Sequence, residues 1–450
     1  YNQSWINYID YIDKTRYQIF LDFTNDNQDK TNFKSQKLSK DKENLHFFSK
    51  FEKKDLKLNV QVLKQKNDAF INLSKDATPL DSSIENSIYD FNIEKMVLND
   101  KVTLSFNHSI IDTILDFKDD NAIVSTENSL YKNTRENVST LKAIYENRIK
   151  NHNIFAGFDY RRKDIDYKTI KYGNTNITQD FNLQNIYSLY FQDEYWLNNN
   201  SILTFGYKFT KSENNGGVDN EYGDTLRVGH IFTNDNFTFK TYYSDTDMLS
   251  EPYLITSTYG NSNIDKMSVK LLSHETIYEK GNSKTSLKLG VSKLIDAVAY
   301  AGVVVNTPTK MDFNYAVLSN EYHVLNFKNF FSMFYSYRDK IPTLGKFDYK
   351  GAQLRTTYIN GLSTLFSEIV YRQNDETEKD FYDLSLGWKY KIKKDFIFSL
   401  KGENILNKSY SSKFDVLTSP GATTTNALYS QHTAQRFLIG VEYLFWKNLF

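Results

Sequence analysis

Residues 382–390 read Tyr-Asp-Leu-Ser-Leu-Gly-Trp-Lys-Tyr, and the order of their side chains decides the fold. Successive side chains of an extended chain point to opposite faces, so Tyr382, Leu384, Leu386, Trp388 and Tyr390 share one face. Asp383, Ser385, Gly387 and Lys389 share the other. The same split closes the chain, where Phe437, Ile439, Val441, Tyr443 and Phe445 face away from Arg436, Gly440 and Glu442. Working back, it recurs at Leu203, Phe205, Tyr207 and Phe209, at Ile154, Ala156, Phe158 and Tyr160, and at Val102, Leu104 and Phe106. It is also present at Leu56, Leu58, Val60 and Val62, and at Tyr17, Ile19, Leu21 and Phe23. No segment sustains a 3.6-residue period to the same extent, so the chain reads as all-β.

Composition narrows the class. The 450 residues carry 55 Lys and Arg against 55 Asp and Glu, no Cys, and 33 Phe with 33 Tyr. Zero formal net charge removes the usual electrostatic case for a nucleic-acid partner, which needs surplus positive charge against phosphates. Without Cys there is neither a disulfide framework nor a thiolate metal site. No run approaches ~18 apolar residues, which excludes a transmembrane helix but not a barrel. A chain that is 16% aromatic yet polar on average suits a barrel wall. There only one face of each strand meets lipid, and aromatic girdles mark both interfaces.

A soluble sandwich alternates too, so connection lengths must separate the two readings. Short connections are expected near 12–14, 52–55, 98–100, 149–152, 198–200, 234–235, 279–282, 323–326, 359–361 and 391–394. Long polar ones are expected near 25–44, 65–87, 109–137, 163–185, 211–223, 244–263, 299–310, 338–349, 372–380 and 405–434. Tight turns that alternate with long loops mark the up-and-down topology of an outer-membrane barrel, with periplasmic turns and extracellular loops. Asn198, Asn199 and Asn200, or Asn234, Asp235 and Asn236, supply turn chemistry. Ten short and ten long connections join twenty-one strands, the first at about 4–11 and the last at 435–445. An odd count with a descending first strand predicts a twenty-two-stranded parent with one ascending strand before Tyr1. The segment 109–137 admits a second reading, in which Ile110, Ile111, Ile114 and Leu115 lengthen the preceding strand or form a structured piece within the loop.

The stretch 186–209, Ile-Tyr-Ser-Leu-Tyr-Phe-Gln-Asp-Glu-Tyr-Trp-Leu, three Asn, then Ser-Ile-Leu-Thr-Phe-Gly-Tyr-Lys-Phe, resembles a hairpin of TonB-dependent outer-membrane receptors. Gln192, Asp193, Trp196, Leu203, Thr204 and Gly206 stand at the motif's positions, with Lys208 where Arg is commoner. Gly402–Tyr410, Gly-Glu-Asn-Ile-Leu-Asn-Lys-Ser-Tyr, is similar to that family's late strand end, with Asn404, Leu406, Asn407, Lys408 and Tyr410 matching. The strand 436–445 looks like the family's closing strand, whose assembly-signal aromatic would be Phe445, although five further residues follow it. The motifs run in family order over 186–445, whereas residues 1–185 agree only in topology. The resemblance implies a barrel domain over 1–450, in the outer membrane of a Gram-negative cell, that belongs with an N-terminal plug and contacts TonB through that plug. It implies a monomer that imports a scarce metal chelate, a ferric siderophore by family frequency and cobalamin as the runner-up.

No phosphate loop, paired-His motif or nucleophile elbow is present, so neither an enzyme nor a cofactor is expected. The seven His, at 46, 108, 152, 230, 274, 323 and 432, lack ligand spacing. Haem receptors of the family that the chain resembles place a His in the loop after a Pro-containing motif; the matching interval here, about Pro252 to Asp265, contains no His, so the resemblance disfavours haem. Asp26 with Asp29, or Asp119 with Asp120, could hold calcium, but a solvated loop explains either pair. Ligand-facing candidates must sit on extracellular loops, where rings stack on a chelate and Arg pairs with its anionic groups. Tyr222, Tyr253, Tyr259, Arg338 and Tyr429 qualify by position, with interface or loop packing as the plain alternative for each. A passive porin, a reading from a different class, would use sixteen or eighteen strands.

Overall fold

The computed structural model describes residues 2–443, apart from 13, 27–30, 34–35, 39–40, 70–77, 80–81, 100, 122–125, 177, 180, 250–265, 297, 301–303, 307–309, 342–344, 375–379, 394–395, 409–410, 418–424 and 432–434. Among these residues there is one large sheet and no helix. The sheet has 23 strands, of which Thr78–Pro79 and Thr175–Asn176 are two-residue pieces, leaving twenty-one that build the wall. In chain order they are β1 (Asn2–Ile12), β2 (Thr15–Asp26), β3 (Lys42–Lys53), β4 (Leu56–Ala69), β5 (Ser82–Val97), β6 (Val102–Asn121) and β7 (Thr126–Ile149). Next come β8 (His152–Tyr172), β9 (Leu183–Asn198), β10 (Ser201–Asn214), β11 (Glu221–Asn234), β12 (Phe237–Met248), β13 (Met267–Lys280) and β14 (Ser283–Ile295). The wall ends with β15 (Met311–Val324), β16 (Phe327–Ile341), β17 (Gly345–Asn360), β18 (Ser363–Asn374), β19 (Phe381–Lys393), β20 (Phe396–Glu403) and β21 (Arg436–Tyr443). Each strand pairs antiparallel with its neighbours in sequence.

All ten expected short connections are short, each closing a hairpin between register-paired strands. Several place a residue at positive φ, such as Lys54, Lys150, Asp235 and Leu325, where a two-residue turn must follow the right-handed twist of its strands. Most long connections fall where expected, with corrections at 338–349, where β16 runs to Ile341 and β17 begins at Gly345, and at 109–137. Residues 109–137 are not a long loop, because β6 and β7 run through them as strands of 20 and 24 residues. Ile110, Ile111, Ile114 and Leu115 lengthen β6, as the second reading had it. β8 likewise continues to Tyr172, inside the span assigned to the next loop. Crossing a bilayer takes only about 9–11 tilted residues, so the upper halves of β6–β8 stand above the membrane. There both faces meet water or protein, and alternation loses its cause.

The outer face is apolar through the membrane zone, where Leu203, Phe205, Tyr207 and Phe209 are all exposed. The inner face is polar but close-packed at certain glycines. Gly387 lies beneath the Phe366 ring and Gly290 beneath that of Tyr315, each the register partner on the adjacent strand. Any Cβ there would overlap the ring. Gly157 under Tyr190 and Gly351 under Phe334 repeat the device. A glycine lets the wall curve, and the ring covers the backbone it leaves bare.

The curvature brings the two ends of the sheet together. Arg436 at the head of β21 lies 3.4 Å from Asp26 at the tip of β2, and 3.1 Å from Glu403 on β20.

The lumenal wall as a candidate ligand site

Register assigns every paired residue to one face, and the inward set divides into two chemically distinct walls. On β3–β6 it is rich in amides and hydroxyls. Gln61 reaches His46 (3.1 Å), Thr113 donates to Asn86 (3.1 Å), and Asn107 donates to Asp90 (2.7 Å). Lys57 pairs with Glu94 at 2.7 Å. These groups largely satisfy one another, so the wall presents a set network rather than unmatched charge.

Twelve strands further round, close to diametrically opposite in a ring of this size, β16–β18 present rings and guanidinium groups. Arg355 lies over Phe330, 5.5 Å from its ring centroid. Its register partner Glu368 accepts instead from Gln353. Phe334 and Tyr349 meet at 5.0 Å with planes tilted by 37°. Arg372 is exposed on the same face, and Arg338 stands higher on β16 opposite Phe313. Flat rings beside guanidinium groups suit a ligand with planar and anionic parts, since stacking and bidentate hydrogen bonding act together.

Of the sequence candidates, Arg338 belongs to this wall. Tyr222 faces outward at the tip of β11, stacked on Phe209 at 6.1 Å with Lys211 near its ring. Tyr253 and Tyr259 lie outside the described residues. Tyr429 sits on Thr425–Gln431, which pairs with Ser411–Leu417 in a separate hairpin, and its side chain lies outside the described residues. Of the two whose side chains are described, Arg338 faces the lumen and Tyr222 faces outward, so these two do not meet. Arg355, Arg372, Phe330, Phe334 and Tyr349 were missed. Their signal was a strand with aromatics on both faces, as in Phe330, Phe331, Phe334 and Tyr335.

The motif residues have physical roles. Gln192 faces the lumen and donates to Glu194 (3.2 Å), with Gly206 opposite it in register. Asp193 bonds His152 at 2.8 Å, and the Arg148 guanidinium lies 4.4 Å from the Trp196 ring centroid. Asn404 is fully buried at φ 47°, a conformation that asparagine tolerates better than most residues. Its side chain accepts from the Lys408 backbone at 3.0 Å, its carbonyl from Asn407 at 2.8 Å. Tyr382 N–H in turn donates to the Lys408 carbonyl at 3.1 Å, tying this turn to β19. Tyr410 and Phe445 lie outside the described residues.

An apolar hollow of about 710 Å³ beside Leu386, Trp388, Leu400, Phe437 and Ile439 lies on the outer, lipid-side face, so it is not a lumenal site. Among the described residues no group of three or more His, Asp or Glu could hold a metal ion.

No family model and no curated protein matches the sequence. Solved structures do match its fold. The copper transporter OprC aligns over 98% of this chain and 77% of its own, at 11% identity and a TM-score of 0.75. The FrpB iron transporter of Neisseria meningitidis aligns over 98% and 80%, at 12% identity and 0.73. The ferric-catecholate import receptor Fiu of E. coli K12 aligns over 98% and 79%, at 9% identity and 0.68. Across nearly its whole length the chain has the up-and-down barrel fold of these outer-membrane proteins.

Proposed function

We propose that this chain is the barrel of a TonB-dependent outer-membrane receptor that imports a metal bound in an organic chelate, a ferric siderophore first among them. The observation that carries this reading is the wall of Arg355, Phe330, Phe334, Tyr349 and Arg372, which offers stacking and anion-pairing groups inside a barrel of receptor fold. Guanidinium and aromatic groups favour a chelate over a bare copper ion, which prefers thioether, thiolate or imidazole ligands. A ring of twenty-one or more strands is too wide for its own side chains to fill, so transport through it calls for an insert that gates the lumen. A plug that contacts TonB would supply both gating and energy coupling, in a monomer.

Two measurements test this. The full-length receptor should restore growth under iron limitation and not under cobalamin limitation; restoration in neither condition removes both substrates, and passive uptake without TonB favours a porin. In calorimetry with a ferric catecholate, Arg355→Ala and Phe330→Ala should each weaken binding by about tenfold. Unchanged affinity in both variants would remove the wall from the site.

A further inference from the structure

Building on the chelate reading above, we infer that the lumenal face of β17–β19 is a descending track for an anionic chelate, with a second and weaker anion subsite formed by Lys389 and Lys391 at the periplasmic mouth. Arg372 on β18 pairs in register with Gly351 and Phe381, and Arg355 on β17 pairs with Glu368, lower on β18. Glu368 pairs in turn with Ser385, and Lys389 and Lys391 continue the same face of β19 below it. The cations therefore stand at successive levels of one strip, about 13 Å, 13 Å and 7 Å apart along the strands. From the level of Arg372 to that of Lys391 the strip runs roughly 33 Å, which at a tilt of about 40° spans the ~25 Å apolar band.

Arg355, Arg372 and Lys389 are exposed on this face and Lys391 is half-buried. Among the described residues none of the four makes an ion pair, whereas Lys57, Lys163, Lys208 and Lys240, elsewhere on the lumenal face, each lie 2.7–3.7 Å from a carboxylate. Two carboxylates share the strip: Glu368, which accepts from Gln353, and Asp383, which accepts from Ser385. They leave it positive on balance and divide it into separate stations. At 0.1 M salt a charge is felt over about 10 Å, close to the spacing, so an anion leaving one station meets the field of the next.

The upper stations are guanidinium groups and the lower ones ammonium groups. A guanidinium fork holds a pair of anionic oxygens bidentately and is weakly hydrated, whereas an ammonium is a strongly hydrated point charge. Grip therefore loosens downward. A conducting path needs binding strong enough to enter and weak enough to leave. Arg372 and Arg355 meet the first need beside the rings of Phe330, Phe334 and Tyr349, and Lys389 and Lys391 meet the second. Trp388 and Tyr390 alternate with these lysines on the outer face, their rings 5.7 Å apart, in the aromatic belt next to the short turns. That belt fixes the lysines at the periplasmic side, where an imported anion must be let go.

The test separates binding from movement. Cells carrying the full-length receptor are given an iron-labelled ferric catecholate, with binding measured in energy-depleted cells and initial uptake in energised ones. Lys389→Gln combined with Lys391→Gln should leave the Kd within about twofold and slow uptake by about tenfold. The chain has no cysteine, so Lys389→Cys with Lys391→Cys can be recharged in place. Uptake should return when an aminoethyl thiol reagent is attached and not when a neutral reagent of the same size is. Uptake unchanged in the Gln pair, or equal rescue by the neutral reagent, would overturn the track. A Kd weakened in step with uptake would merge the lysines with the upper wall, and faster uptake with entry of bulky antibiotics would assign them to holding the insert that gates the lumen; either result removes the second subsite. A receptor that binds no ferric catecholate at all removes the chelate reading itself, and the track with it.

Discussion

The wall of this barrel is tall on one side and low at the seam. β6, β7 and β8 have 20, 24 and 21 residues, whereas β20 and β21 have eight each. The tall side rises into water and must stabilise itself there. It does so with buried side chains above the membrane, Phe117, Ile165, Ile170 and Phe181, the last 1% exposed. The clamp that seats Phe181 is local. Asn215 accepts from the backbone N–H groups of Asn182 and Leu183, and the Asn182 carbonyl accepts from Ile165. Among the described residues the low side buries a single large apolar side chain, Phe381, and its order otherwise rests on cross-strand rings, the Asn404 turn and the Arg436 bridge. A wall with its own core can melt without the barrel, whereas a wall that borrows its order from neighbours cannot.

That contrast is open to test. The largest effect is expected from Phe181→Ala, about 3–4 kcal/mol, because a fully enclosed ring leaves a cavity. Amide exchange should show it confined to the upper halves of β7–β9, with the heat-modifiable migration of the barrel unchanged; loss of that migration would remove the independence of the tall wall. Gly387→Val on the low side should destabilise by about 3 kcal/mol and unfold the barrel as a unit, since a Cβ overlaps Phe366. Adding Phe366→Ala should recover part of that loss, and thermal gel-shift assays would read both variants.

Asn404→Ala should cost about 1–2 kcal/mol by removing the acceptor for Lys408 from a buried turn, and Asn404→Asp should keep most of it. Comparing their denaturation midpoints checks this. The smallest change is a gain. Burial holds the Lys132 ammonium, on the extracellular part of β7, below the usual lysine range, with a smaller opposing pull from Glu136. The unfolded chain then binds that proton more tightly, so stability rises as pH climbs through the folded value towards the ordinary one. Lys132→Met should stabilise the tall wall at neutral pH by under about 1 kcal/mol, and the gain should shrink as pH rises. A gain that grew with pH would assign it to packing instead.

Legibility in the sequence follows the same division. Where a strand crosses lipid, one face is apolar and the other wet, so Tyr382–Tyr390 and Phe437–Tyr443 could be read residue by residue. Above the membrane the contrast ends, and Ile110 and Ile111 put apolar groups on both faces of β6, which reads as a loop. The candidate site suffered from parity. Tyr222 and Arg338 were both chosen as loop residues, yet one faces outward over Phe209 and the other inward on β16. Asn404 was legible as a motif residue, but its buried positive-φ turn was not.

By itself the sequence determined the all-β class, the alternation of faces, the ten tight turns and the count of twenty-one strands, because side-chain order along a strand and chain reversal are local properties. Only the tertiary structure decided that Arg355 and Phe330 share a wall with Tyr349, that the amide-rich wall lies across from it, and that Arg436 meets Asp26. Those neighbours are set by how far the sheet curves and how its strands shear, and curvature belongs to the whole ring of strands rather than to any one of them.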